Sequence, residues 1–138
     1  MIIRRVKQDL IIFTTSGITY GMVEIAWRHY THWTMLITGG VCFLVLFRIY
    51  NCFPKIKLLN KCLIGASVIT AIELISGLIV NIWLKMGVWD YSSIPINFKG
   101  QICLLYTFLW GLLCIPISFV SDKIQNKYLN KTKEPKLS

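Results

Sequence analysis

Residues 62–83 read CLIGASVITAIELISGLIVNIW, an apolar run of 22 residues whose single charged residue is Glu73. About 20 mostly apolar residues are enough for a helix to cross the hydrocarbon of a bilayer. The run therefore predicts a transmembrane helix with a carboxyl group near its middle. Working outward, three more segments meet the same length test: about 10–27, bounded by Asp9 and Arg28; about 33–50, with Arg48 reaching toward the headgroups; and about 101–120. Only Arg28-His29-Tyr30-Thr31-His32 separates the first pair, which must form a tight antiparallel hairpin.

Composition requires the same environment. Of 138 residues, 55% are hydrophobic and 15% charged, with mean hydropathy +0.60. A soluble domain of this size carries charge nearer ~25% and cannot hide so much apolar surface in one core. The net charge of +9, from 15 Lys+Arg against 6 Asp+Glu, would suggest nucleic acid in a soluble protein. Here the bases fall between the apolar runs, and no nucleic-acid partner is expected. Twelve of them lie before the first span, between the second and third, and after the fourth, against three in the other two loops. The positive-inside rule then places both termini in the cytoplasm of a protein in the cell membrane. Trp27, Trp33, Trp83 and Trp89 gather at the opposite interface, where amphipathic rings prefer to sit. Residues 1–120 read as a transmembrane domain and 121–138 as a basic cytoplasmic tail, either solvated or continuing the fourth helix along the membrane surface. The basic N-terminus resembles the start of a signal peptide, but the apolar run has no small-residue exit and continues through Gly17, Gly21 and Glu24, so it reads as a retained helix. The five cysteines, odd in number and without C-x-x-C spacing, imply neither a disulfide framework nor a zinc site.

Helices in lipid associate through small residues and buried polar contacts. Such stripes are Thr14, Gly17, Gly21, Glu24 and Arg28 on the first helix, Ala66, Thr70, Glu73, Gly77 and Asn81 on the third, and Cys103, Thr107, Gly111 and Cys114 on the fourth. Pro116 should kink the cytoplasmic end of the fourth. The expectation is an all-α membrane protein, a bundle of four transmembrane helices with polar stripes inward. Gly17-x-x-x-Gly21-x-x-Glu24 parallels Ala66-x-x-x-Thr70-x-x-Glu73. Either a helical hairpin was duplicated, or the two stripes arose independently.

Glu73 is the leading candidate for function, because ionising a carboxyl there costs ~2.5–3.5 kcal/mol or more and such residues mark ion, proton or substrate paths. The opposing reading is a structural Glu hydrogen-bonded to Thr70, Tyr20 or Thr14. Glu24 and Arg28 stand at i,i+4, as an outer gate or as an interfacial ion pair. His29 and His32 form an H-x-x-H too weakly specific to imply a metal. The loop Trp89-Asp-Tyr-Ser-Ser-Ile-Pro-Ile-Asn97-Phe-Lys-Gly100 is aromatic and restrained by Pro95. It reads as a lid over the outer mouth or as a loop lying on the membrane, with Asp90 and Asn97 satisfying backbone. No Walker A loop, G-x-S-x-G, H-E-x-x-H or C-x-x-C is present. No catalytic residue and no cofactor is expected.

Tyr20-Gly21-x-x-Glu24, Trp33-Thr-Met35 with Gly39-Gly40, Glu73-x-x-x-Gly77 and Trp89-Asp-Tyr-x-x-x-Pro95-x-Asn97-x-x-Gly100 resemble the ABC-transporter type IV (CmpB-like) membrane proteins, a family that takes in the eukaryotic transmembrane protein 229 group. The likeness runs from Tyr20 to about Trp110, and the W-D-Y segment is its most specific part. It implies that Glu24, Glu73, Asp90, Asn97 and Gly100 occupy motif positions. The first outer loop departs from the resemblance, being shorter than the Gly/Pro-rich stretch of many members. Four spans without a nucleotide-binding domain make less than an ABC permease half, although a dimer would supply eight.

Three functional classes follow. The first is a small transporter or permease-like protein with Glu73 on the permeation or proton path and Glu24, Arg28, Asp90 and Asn97 as further binding candidates. The alternative is a non-catalytic scaffold or accessory subunit whose polar residues are structural, partnered by a second copy or another membrane protein. An interfacial enzyme using Glu24, His29, His32 and Asp90 is the third.

Overall fold

The computed structural model describes residues 2–133, with side chains described as far as Lys127. The remainder of the basic tail, including Pro135, and the side chains of Tyr128, Leu129 and Lys131 lie outside the described residues. Four helices carry the chain: α1 (Ile2–Arg28), α2 (Trp33–Cys52), α3 (Leu58–Gly77) and α4 (Leu104–Lys133). Each is long and apolar enough to cross a membrane. The expected all-α membrane fold with four spanning helices is the observed one.

The α1–α2 hairpin is closed by local chemistry. His29 adopts φ 61°, leaving the helical region, while His32 caps α2 by accepting the Thr34 N–H at 3.3 Å. Close packing follows from glycine: a Cβ on Gly17 would lie 2.6 Å from the Leu36 carbonyl oxygen, so the two backbones can meet only without one. At the base-rich end the hairpin is tied by Arg48 donating to Asp9 at 2.6 Å.

The α3–α4 hairpin packs along the expected stripes. Thr70 and Thr107 hydroxyls meet at 2.9 Å, and Gly111 faces Ala66. After Gly77, α3 widens into a π-helical segment, Leu78–Trp83, closed by the Leu84 N–H on the Ile79 carbonyl at 2.9 Å. Between the two hairpins α2 carries the main contacts. Leu46, Tyr50, Ile69 and Cys114 form one core there. Beside it the Tyr50 hydroxyl donates to the Lys61 carbonyl at 2.8 Å, and buried Lys61 reaches Asp122 at 3.3 Å.

The segment from 84 to 103 turns back onto the bundle. A two-stranded ribbon, β1 (Asn97–Phe98) against β2 (Ile102–Cys103), pairs antiparallel and leads into α4. Asn81, in the π-helical segment, accepts the Val88 N–H at 2.7 Å and the Trp89 N–H at 3.4 Å and donates to Gln101 at 2.8 Å. Trp89 in turn donates to the Gln101 carbonyl at 3.1 Å. Val88, Trp89, Tyr91, Met35 and Cys103 form a second core. This corrects the reading of Trp89 as an interfacial anchor. Trp27, Trp33 and Trp83 are exposed as a belt requires, but Trp89 is only 5% exposed because its N–H has a partner inside.

Candidate functional site

Two carboxyl groups are buried at the loop end of the bundle. Glu24 is 8% and Glu73 7% exposed, and burial without partners would be prohibitive. Every carboxyl oxygen has a donor. On α1, Tyr20 donates to Glu24 Oε1 at 2.5 Å and Arg28 Nε to Oε2 at 2.6 Å. All three project from one helix at i,i+4 steps, so the α1 stripe itself builds this half. Arg28 also places a nitrogen 3.0 Å from Met35 Sδ on α2.

Glu73 is satisfied from more distant elements. Tyr91, in the returning loop, shares a hydrogen bond of 2.7 Å with Oε1, and Trp110 on α4 donates its indole N–H to Oε2 at 3.0 Å. The indole can only donate, so Oε2 is an acceptor whatever the protonation of Oε1. Burial and the adjacent Glu73 carboxylate push the Tyr91 phenol above its ordinary value, leaving it protonated. The partners expected from sequence do not hold. Thr70 bonds Thr107, Tyr20 bonds Glu24, and none of Glu73's hydrogen bonds involves Thr14.

Aromatic rings join the two halves. Tyr91 stacks on Tyr106 with centroids 4.7 Å apart, Tyr106 lies 6.0 Å from Trp110, and Trp110 lies 6.3 Å from Tyr20. A continuous file of rings therefore runs from the loop to α1, with a carboxyl group hydrogen-bonded at each end. Glu73, Glu24 and Arg28 come together in this network. Asp90 and Asn97 do not reach it. Asp90 is fully exposed and accepts the Ser92 hydroxyl and, at 2.9 Å, the Ser92 N–H, which hold its carboxyl below the usual carboxylate range. Asn97 donates to the Ile94 carbonyl at 2.8 Å and accepts from Gly100 N–H at 3.1 Å. Gly100 takes φ 71° beside Asp90, and its carbonyl receives the Tyr91 N–H at 2.7 Å. The W-D-Y…P-x-N-x-x-G segment is thus the brace that holds Trp89 and Tyr91 inward.

A cleft of 540 Å³ opens between α1 and α4, with α2 and α3 contributing to its walls. It extends from Ile124 and Lys127 to Tyr20, Trp89, Trp110 and Glu73. Trp110 to Lys127 is 17 residues on one helix, about 25 Å at 1.5 Å per residue, most of a bilayer's hydrocarbon thickness. Along the cleft the walls are chiefly aliphatic, among them Ile12, Ile69, Leu113 and Ile117.

Comparison with known families bears directly on this arrangement. The family model described as "Putative ABC-transporter type IV" matches residues 11–137. The chain belongs to this family. None of the curated proteins and none of the solved structures matches it. The matched stretch contains both carboxyl groups, the brace and the cleft. It makes this chain a multi-pass membrane protein of an ABC-transporter-type family, built on four apolar helices.

Trp110, Tyr106 and Gln101 were not singled out from sequence. One signal was available for Trp110. Three tryptophans fall at predicted span ends and Trp89 in the third loop, whereas Trp110 falls in mid-span, where an indole N–H needs an internal partner. His32 serves as a helix cap, and His29 is an exposed turn residue. Among the described residues, no group of three His, Cys, Asp or Glu is placed to hold a metal ion.

Proposed function

We propose that the protein is a small permease-like transporter of the cell membrane, with both termini cytoplasmic and Glu73 on the solute or proton path. The observation that carries this reading is the placement of Glu73 in the wall of the cleft between α1 and α4. A carboxyl group serving only to lock helices together would be sealed between them; this one borders space that reaches along most of the span. A buried ionisable group beside a cavity is the usual mark of a proton or substrate path. The orientation is supported by the concentration of twelve bases on one side and by the exposed Trp27, Trp33 and Trp83 on the other. Two copies would supply eight spans, and exposed apolar side chains of α1, α3 and α4, among them Leu10, Leu63 and Phe108, are surfaces available for pairing.

The test is proton movement in proteoliposomes containing an internal pH dye. Wild type should dissipate an imposed pH gradient faster than protein-free vesicles, and Glu73→Gln should return the rate to that baseline while keeping helical content. A rate unchanged by Glu73→Gln would overturn the reading. The scaffold alternative is favoured by one specific observation, that both Glu73 oxygens are already hydrogen-bonded. On that alternative Glu73→Gln and Glu73→Leu alter stability and nothing else.

A further inference from the structure

We propose that the cleft binds a lipophilic cation, a molecule with an apolar body and one quaternary-ammonium-like charge, seated with the charge among Tyr20, Trp89, Trp110 and Glu73. The inference rests on the preceding reading that the cleft is a solute path, and names the class of solute. Three aromatic rings and one carboxyl group line the same end of the cavity. Ring faces attract a cation within about 6 Å, most strongly when it is desolvated, and this is the established chemistry for recognising quaternary ammonium groups. A carboxylate offers about four lone-pair positions. Tyr91 and Trp110 occupy one on each oxygen, leaving half of the acceptor capacity of Glu73 for a charge beside it.

The rest of the cleft selects the body of the ligand. Most of its hydroxyl groups are committed to their own helices, exposed Thr15 being the exception: Ser16 donates to the Phe13 carbonyl at 3.1 Å, Thr19 to the Thr15 carbonyl at 2.8 Å and Thr38 to the Thr34 carbonyl at 2.8 Å. What remains is aliphatic and aromatic wall, which favours apolar substituents over a hydrated ion. Charge sets the direction of seating. Lys127 stands at the opposite end and repels a cation toward Glu73. Arg28, eight residues beyond Tyr20 on α1, is engaged by Glu24 and does not line the cleft. A lipophilic anion of the same shape meets a carboxyl group at the aromatic end and finds a cation in the lining only at exposed Lys127.

The probe is tetraphenylphosphonium, titrated by equilibrium dialysis against the full chain in a non-ionic detergent, with tetraphenylborate as its counterpart of opposite charge. The expected result is saturable binding of the cation, at least tenfold weaker binding of the anion, and at least tenfold loss of cation affinity in Glu73→Gln. Ile117→Trp, which fills the apolar body without touching Glu73, should weaken cation binding severalfold and guards against a Glu73 variant that fails to fold. Equal binding of the two ions, or cation binding indifferent to both substitutions, would overturn the proposal. Proton flux that depends on Glu73 without any binding of the phosphonium would overturn the ligand class alone. Absence of both would overturn the path reading as well.

Discussion

Removing the Tyr91 hydroxyl is the most direct test of how the loop governs the buried carboxyl group. Tyr91→Phe keeps the ring, and so its stack on Tyr106 at 4.7 Å, but deletes the 2.7 Å hydrogen bond to Glu73. A hydrogen bond to a charged group in a protein interior contributes about 1.5–3 kcal/mol. Inter-helix hydrogen bonds measured within membranes average nearer ~0.6 and reach ~1.7 kcal/mol, because the unfolded reference also finds partners. With Tyr91 8% and Glu73 7% exposed, the bond is largely shielded from bulk water, so the upper part of the membrane range applies. We expect a coupling of about 1.5 kcal/mol, roughly tenfold in the folding equilibrium. The assay is a double-mutant cycle of Tyr91→Phe and Glu73→Leu, unfolded by sodium dodecyl sulfate in mixed micelles and followed by circular dichroism. Additivity within ~0.3 kcal/mol would refute the contact as an energetic link.

Asn81→Ala removes the acceptor for Val88 and Trp89 and the donor to Gln101. It should destabilise the fold by about 1–3 kcal/mol and expose Trp89, seen as red-shifted tryptophan emission and faster quenching by iodide. Acidification should loosen the brace. The Asp90 carboxyl is held low by Ser92, so its contribution is present above the unfolded carboxylate range and is lost as pH falls through the lower folded value. Proteolysis within residues 88–100 should therefore accelerate on acidification below about pH 4, and Asp90→Asn should flatten that dependence; an unchanged profile would remove Asp90 from the brace. Cys52 is exposed at the end of α2, whereas Cys114 is buried. A membrane-impermeant maleimide should label Cys52 in inside-out vesicles and spare it in right-side-out ones, and the reverse result would invert the proposed orientation.

Part of the site was legible before any coordinates. Glu24 and Arg28 lie within one helix, where spacing alone puts side chains on a common face, and their bond at 2.6 Å joins residues at i,i+4; Tyr20, one turn earlier and by sequence a candidate partner of Glu73, bonds Glu24 instead. Small-residue stripes put Thr70 and Thr107 on the facing sides of two adjacent helices, but Thr70, by sequence a candidate partner of Glu73, bonds Thr107 instead. Glu73 was conspicuous as the lone charge in an apolar span, but its partners were not readable. Tyr91 and Trp110 are 18 and 37 residues away on a loop and another helix, and no local periodicity encodes such meetings. The same holds for Arg48 and Asp9, separated by 39 residues. Trp89 was misplaced because an aromatic residue in an outer loop suits the interface equally well until a buried carbonyl claims its N–H.

By itself the sequence determined that this is a four-span membrane protein with one carboxyl group deep in an apolar run, because hydrophobic length and the cost of burying charge are local properties of the chain. Tertiary structure decided the rest. The 84–103 segment packs inward, its exposed Asp90 and Asn97 brace Tyr91 against Glu73, and α1 stands apart from α4 to leave a cleft beside that residue. These outcomes depend on which distant groups satisfy buried donors and acceptors and on how closely glycines let particular helices approach. Both are settled only when all four helices are packed together.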